Sequence, residues 1–379
     1  MKVHGFMAVG IVMMLSACGG TSTVSSGPAS VSPKTASAGA SAAASAAAKP
    51  SPAASAASAK PSGSAAAKPS GGLTTVKMGP PSLDLNYQLP FAVAKAKGFF
   101  QAEGIDAEMN LVAGNVAVPA LLKGEIDLTN HGAAMAATMQ GAGSMKSIYF
   151  PYSTSTLNLV INTSKIKEPK DLIGQPVAVD TLGNSQDLGT RAILRSLGVD
   201  PEKVEIRPIQ NSANRVAAML SGQVVASADN PAIAGQVLAK PGFKKLADSS
   251  KVFNIPWSGY AATSQYIAQH HDTLVGWERA MVKALLFIRQ NPDETIDIVT
   301  QASGLDKDVA KTALPLLLDV MYPDDPGGWT EETMRNQIEM TKANIQSTKD
   351  VSIEDVADPG PLREAQKSLG IQCKGGYKC

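Results

Sequence analysis

Cysteine is scarce in this chain: Cys18, Cys373 and Cys379 are the three among 379 residues, and the long stretch between the first two has none. A disulfide-framed core and a cysteine-rich metal centre are thereby excluded for the body of the protein. Histidine is nearly as rare. His4, His131, His270 and His271 show no ligand spacing, so neither a metal nor a cofactor is expected. Aromatic residues make up 5% of the chain, too few for an extended base-stacking surface. Neither sign of charge is in excess, since 34 Lys and Arg face 33 Asp and Glu, which gives no reason to expect nucleic acid as a partner. The apolar run from Phe6 to Leu15 is too short to span a bilayer.

What is present at the start is a short basic segment, Met1 to His4, then that apolar run, then Leu15-Ser16-Ala17-Cys18-Gly19. The first two read as a secretory signal over residues 1–17. The last resembles the lipobox of bacterial lipoproteins, which implies cleavage before Cys18 and a lipid on it. Residues 18–72 are Ala, Ser, Pro, Lys and Gly in near-repeats. With so few large apolar side chains they cannot offset chain entropy, and they read as a disordered tether. At the other end, a tail over 371–379 carries Cys373 and Cys379 around Lys-Gly-Gly-Tyr-Lys. In an exported protein such a pair can join, although spacing alone does not establish the geometry.

Between these ends the chain repeats itself. Ile126 to Thr129 reads as a buried strand, broken by Asn130-His131-Gly132 and resumed as a small-residue helix from Ala133. Downstream, Val224 to Ala228 runs into Asp229-Asn230-Pro231 and then Ala232 to Gly235. Each is preceded by a helical run, Val116 to Leu122 and Arg215 to Leu220, ending at Gly124 or Gly222. Further back, Val76 to Gly79 pairs with Val177 to Asp180, and Ile105 to Val112 with Val204 to Gln210. The offset stays near about 100 residues, a domain-sized duplication rather than a short solenoid period. Two sister α/β lobes with polar loops at matching strand ends imply a cleft between them.

In order, the first lobe is expected over 73–160 and again over 258–370, with the second over 161–257. A polar loop from Pro80 to Gln88 leads to a helix from Leu89 to Lys97, ending at Gly98. Two β-type runs around Ser153-Thr154-Ser155-Thr156 suit a crossing to the second lobe, and Ile255 to Tyr260 suits the return. Beyond it, Thr273 to Arg289, Lys307 to Leu318 and Glu331 to Ser347 read as amphipathic helices that pack as scaffold on the first lobe.

With these pieces in place the chain resembles the substrate-binding lipoproteins of ABC importers, in the group serving nitrate, sulfonates, taurine and thiamine-precursor pyrimidines. The resemblance rests on Pro90 to Ala94 with Lys97 to Phe100 and Glu103-Gly104-Ile105. It also rests on Ala120 to Asp127, on Asp171 to Val179 and on Asn291 to Glu294. It implies a two-lobed periplasmic-binding-protein type II fold with two crossing hinge strands and C-terminal helices. It further implies a solute held between the lobes, a membrane permease as partner and no catalysis. The chain is expected to act as a monomer on the outer face of the cytoplasmic membrane, held by Cys18. The other readings are a tethered surface sensor or an enzyme on the same scaffold. Against the enzyme, the lobes hold no cysteine and no visible nucleophile–base pair.

Loops at equivalent strand ends supply the candidate contacts. The first lobe offers Asn86, Tyr87, Asn115, Asn130 and His131; the second offers Asn184, Ser185, Asn211, Asp229 and Asn230. Thr154, Trp257 and Tyr260 come from the crossings. Thr181 to Gln186 precedes a helix whose free N–H groups and hydroxyls can hold an anionic group. Asn184, Ser185 and Asp229-Asn230 read equally as helix caps, and Tyr87 and Trp257 as core aromatics. Arg191 and Arg215 reach inward only if helix rotation allows. Mostly neutral amides and hydroxyls point to a small, at most singly charged or heteroaromatic solute, and Asn130→Ala is expected to weaken its binding.

Overall fold

The computed structural model describes residues 72–379. The expected signal, the Cys18 lipid site and nearly all of the tether lie outside them. Two five-stranded sheets organise the rest. The first holds β1 (Thr74–Gly79), β2 (Ile105–Met109), β3 (Leu128–Asn130), β4 (Met145–Tyr149) and β10 (Tyr260–Thr263), in the order β2-β1-β3-β10-β4. The second holds β5 (Asn158–Asn162), β6 (Pro176–Val179), β7 (Glu205–Pro208), β8 (Ala226–Asp229) and β9 (Phe243–Asp248), in the order β7-β6-β8-β5-β9. In each, three parallel strands are followed by an antiparallel one that pairs onward to the edge. That antiparallel strand is where the chain changes sheet: β5 enters the second and β10 returns to the first.

The boundary expected at residue 160 therefore falls inside β5, all of which belongs to the second sheet. The change of sheet occurs over 150–157, where Phe150 and Tyr152 still pack into the first lobe. Outgoing and returning segments are tied together. Trp257 N donates to Tyr152 O at 3.0 Å, and Ser249 Oγ to Ser155 Oγ at 2.8 Å.

Around the first sheet lie α1 (Leu85–Ala96), α2 (Phe99–Ala102), α3 (Gly114–Leu122) and α4 (His131–Met139); around the second lie α5 (Ser185–Ser196), α6 (Ser212–Ser221) and α7 (Pro231–Leu238). Helix α1 starts at Leu85, earlier than the hydrophobic pattern suggests. The side chain of Asp84 accepts from the N–H groups of Asn86 and Tyr87, so the cap rather than the apolar face sets the first turn. Each lobe has its own core, one built on Val76, Met78, Leu128 and Trp277, the other on Leu159, Ile161, Val177 and Ile193.

The chain closes with α8 (Ser264–Gln269), α9 (His271–Gln290), α10 (Pro292–Ser303), α11 (Lys307–Leu318), α12 (Glu331–Asn344), α13 (Ile353–Val356) and α14 (Gly360–Ser368). Helix α9 seats Trp277 and Met281 in the first core, as its periodicity predicts. Not all of these helices serve the first lobe alone. Helix α11 packs on α7 of the second, so closely that a Cβ on Gly235 would meet Ala313 Cβ and the Val309 carbonyl at 3.2 Å. Helix α12 reaches the returning segment, where Asn336 Nδ2 donates to Asn254 O at 2.9 Å. In the tail, Cys373 and Cys379 are joined, with Cα atoms 5.4 Å apart. Buried Asp325, gripped by Arg363 and Gln366, anchors the last helix nearby.

Candidate functional site

A cavity of about 290 Å³ opens where the two sheets present the carboxyl ends of their parallel strands. The first lobe contributes Ser82, Asp84, Asn86, Tyr87, Asn130 and His131 to its lining. The second contributes Asp180, Asn184, Ser185, Gln186, Arg215, Asp229 and Asn230. The returning segment adds Ile255, Trp257 and Ser258, and α12 adds Gln337 and Met340.

Four helices begin at this cavity, and each is capped by its own side chain. The Asp84 carboxylate accepts from Asn86 N at 3.0 Å and Tyr87 N at 3.4 Å. Asn130 Oδ1 accepts from Gly132 N and Ala133 N at 3.0 and 3.1 Å. Asn184 Oδ1 accepts from Asp187 N at 3.0 Å, and Asn230 Oδ1 from Ile233 N at 3.2 Å. The three amides then spend their N–H groups inside the site. Asn130 Nδ2 donates to the Tyr87 hydroxyl at 2.6 Å, and Asn184 Nδ2 to Asp180 Oδ2 at 3.0 Å. Asn230 Nδ2 donates to Asp84 Oδ2 at 3.3 Å, bridging the lobes. Capping and lining the cavity thus coexist in the same residues.

The loop before α5, expected to offer free N–H groups to an anion, uses several of them internally. Gly183 N donates to Asp187 Oδ2 at 2.8 Å, Asp180 N to Gln186 Oε1 at 3.1 Å and Asn184 N to Thr181 O at 3.2 Å.

Arg215 does turn inward, and the rotation of α6 decides it. Its Nε and Nη2 lie 2.9 and 2.8 Å from Asp229 Oδ1, while Nη1 donates to the carbonyls of Ile209 and Gln210. Asp180 Oδ1 stands 3.8 Å from the same guanidinium. Arg191 instead pairs with Asp187 and Glu202, away from the cavity lining.

Burial governs the titrating groups here. It holds the Asp84 carboxyl above its usual range, opposed by hydrogen bonds from Ser82, Tyr87 and Asn86. It pushes His131 down to about 3, so the ring is neutral at physiological pH. Among the described residues, His131 Nδ1, Asn86 Oδ1 and Gln337 Oε1 are buried without a hydrogen-bond partner.

Several candidates sit elsewhere. Asn115 is exposed in the first turn of α3. Asn211 caps α6 through Asn214 N and faces solvent. Thr154 ties the crossings by donating to Ser250 O at 3.0 Å. Tyr260, 1% exposed, is a core residue packed edge-on against Tyr87 and Trp277, each ring 5.7 Å away. Strand ends that look equivalent in sequence diverge in space, because a residue one turn along its helix or behind the first aromatic layer no longer sees the cleft. Trp257 takes part in both core and site: it packs against the cores of both lobes and lines the cavity. Beside it, Ser258 adopts φ +55°, a strained left-handed conformation at the crossing.

Sequence reasoning missed Asp84, Asp180, Gln186, Gln337 and Met340. The Asp84 and Asp180 positions were legible as polar residues before helices. Gln337 and Met340 carried no signal, since they arrive from a helix distant in sequence.

Residues 86–295 match the family profile described as NMT1/THI5 like. YtlA of Bacillus subtilis (strain 168), a protein named for a binding role, is 26% identical over 255 residues, which span 64% of this chain and 75% of YtlA. The periplasmic aliphatic sulphonate binding protein SsuA from Escherichia coli is similar in structure, with a TM-score of 0.61 at 20% identity over 75% of this chain and 97% of SsuA. The desulfurization enzyme DSZB gives a TM-score of 0.58 at 13% identity over 78% of this chain and 99% of its own. The fold is the two-lobed periplasmic-binding-protein type with two crossings and C-terminal helices, and it carries both binding proteins and an enzyme. With more than half of its length matched by one family profile, this chain belongs to the NMT1/THI5-like family.

Proposed function

We propose that the chain is the extracytoplasmic solute-binding component of an ABC importer. It works as a monomer held by a lipid on Cys18 and a tether over 18–72, and delivers a small solute to a membrane permease. The two lobes correspond to the first sheet with its flanking helices and the second sheet with its own. The observation that carries this reading is the cavity itself. It is lined from both lobes, and the Asn230–Asp84 hydrogen bond spans it. A solute touching both sides stabilises the closed arrangement by its differential affinity, and closure is what a permease reads. At about 290 Å³ the cavity stands at the small end of ligand sites, which run to roughly 1,000 Å³.

Among the described residues no hydrogen bond joins the His131 ring to a hydroxyl or thiol, which weighs against nucleophile–base catalysis on this scaffold. A surface sensor would use the same closure, and a permease and ATPase encoded beside this chain would favour transport. The direct test is small-angle scattering of the purified chain, without solute and with a solute identified by mass spectrometry of what the protein retains. A smaller radius of gyration with solute is expected. An unchanged radius rejects closure as the signal.

A further inference from the structure

The charges in the cavity do not balance. Asp84, Asp180 and Asp229 line it, with Arg215 as the sole Lys or Arg among the lining residues. That arginine is already spent: its guanidinium holds Asp229 and two backbone carbonyls, and its side chain is 7% exposed. Asp84 lies in the first lobe with no cationic partner within ion-pair distance among the described residues, while Asp180 in the second only borders the arginine at 3.8 Å. His131 adds no charge, because it is neutral.

The helix starts that an anion would seek are partly occupied as well. A helix N-terminus attracts negative charge through its free N–H groups. Here each of the four that face the cavity already carries a side-chain cap, from Asp84, Asn130, Asn184 or Asn230, which takes up one or two of those groups. What remains open is a different kind of group. Asn86 and Gln337, each 2% exposed, are among the lining residues, and no described donor reaches their buried side-chain carbonyl oxygens. Buried acceptors left without a donor are costly, so a ligand bearing N–H donors is the natural complement.

We infer that the solute carries a protonated amine, held between Asp84 and Asp180 as the lobes close, with Asn86 and Gln337 accepting its remaining hydrogens. Simple oxyanions and sulfonates lacking a cationic group are rejected, because closure would seat their charge among three acidic side chains with no free cation in the lining to receive it. This rests on the solute-binding reading and narrows its ligand.

The test uses the whole chain and three probes of similar size: 2-aminoethanol, ethanesulfonate and ethylene glycol. Equilibrium dialysis is run with the native protein and with the double variant Asp84→Asn, Asp180→Asn. Asparagine still caps α1, so the variant keeps its fold, as circular dichroism would verify. The expected result is that 2-aminoethanol binds, ethanesulfonate does not, and the double variant loses tenfold or more. Binding of ethanesulfonate or ethylene glycol as tightly as the amine, or an unaffected double variant, overturns the inference and leaves solute binding standing. If no probe binds and mass spectrometry finds no retained small molecule, the solute-binding reading falls together with it.

Discussion

The two lobes share a strand order and differ in what they do with their polar side chains. The fourth residue of α3 is Ala117, buried under its sheet; the fourth of α6 is Arg215, turned toward the cavity. Strand β3 ends in Thr129-Asn130, whereas β8 ends in Asp229 with Asn230 next, so the second lobe has an acid where the first has a hydroxyl. The result is a second lobe whose charges are locked to one another and a first lobe whose polar atoms are left open. The two lobes thus share their strand order and the caps at β3–α4 and β8–α7, while single side chains divide the labour between a rigid wall and a receptive one.

The sharpest way to break this comparison is Arg215→Ala. It strands Asp229, 4% exposed, without its counter-charge, and should cost about 3–5 kcal/mol in a urea melt. A small effect there would mean the second lobe is not held by that pair.

Next comes the first lobe's own burden. Glu278 on α9 is 0% exposed and both its carboxylate oxygens lack partners among the described residues. Burial, only partly offset by Arg363, holds its pKa well above the usual glutamate value. Because the folded pKa lies above the unfolded one of about 4.5, its contribution is intact below that pH and lost as pH rises toward the folded value. Glu278→Gln is therefore expected to stabilise the protein at pH 7 and to change little at pH 4. Thermal melts at the two pH values check the sign.

The caps should behave alike across the duplication. Asn130→Ala and Asn230→Ala are each expected to cost about 0.5–2 kcal/mol in the same melts, through the loss of N-terminal hydrogen bonds. A clear inequality would show that the Tyr87 or Asp84 bond matters more than the cap. The smallest contrast lies at the second helix of each lobe. Asn211 caps α6, whereas α3 begins after Ala113 with no side-chain cap, leaving Asn115 exposed. Asn211→Ala should cost about 1 kcal/mol. Asn115→Ala should stay within about 0.5 kcal/mol and leave solute affinity unchanged.

Local chemistry fixed much of this in advance. A β-type run marked β5, and helical periods marked α9 and α11; the matched strand-loop-helix units marked the two lobes; and Asn130, Asn184 and Asn230 stood where a strand hands over to a helix. Such features depend on neighbours within a few residues, so they can be read from order alone. The pairing of Arg215 with Asp229, the arrival of Gln337 from α12 and the displacement of Tyr260 into the core depend on how a helix is rotated and which distant helix docks. Those outcomes are set by packing between segments far apart in the chain, and only the assembled tertiary structure decides them.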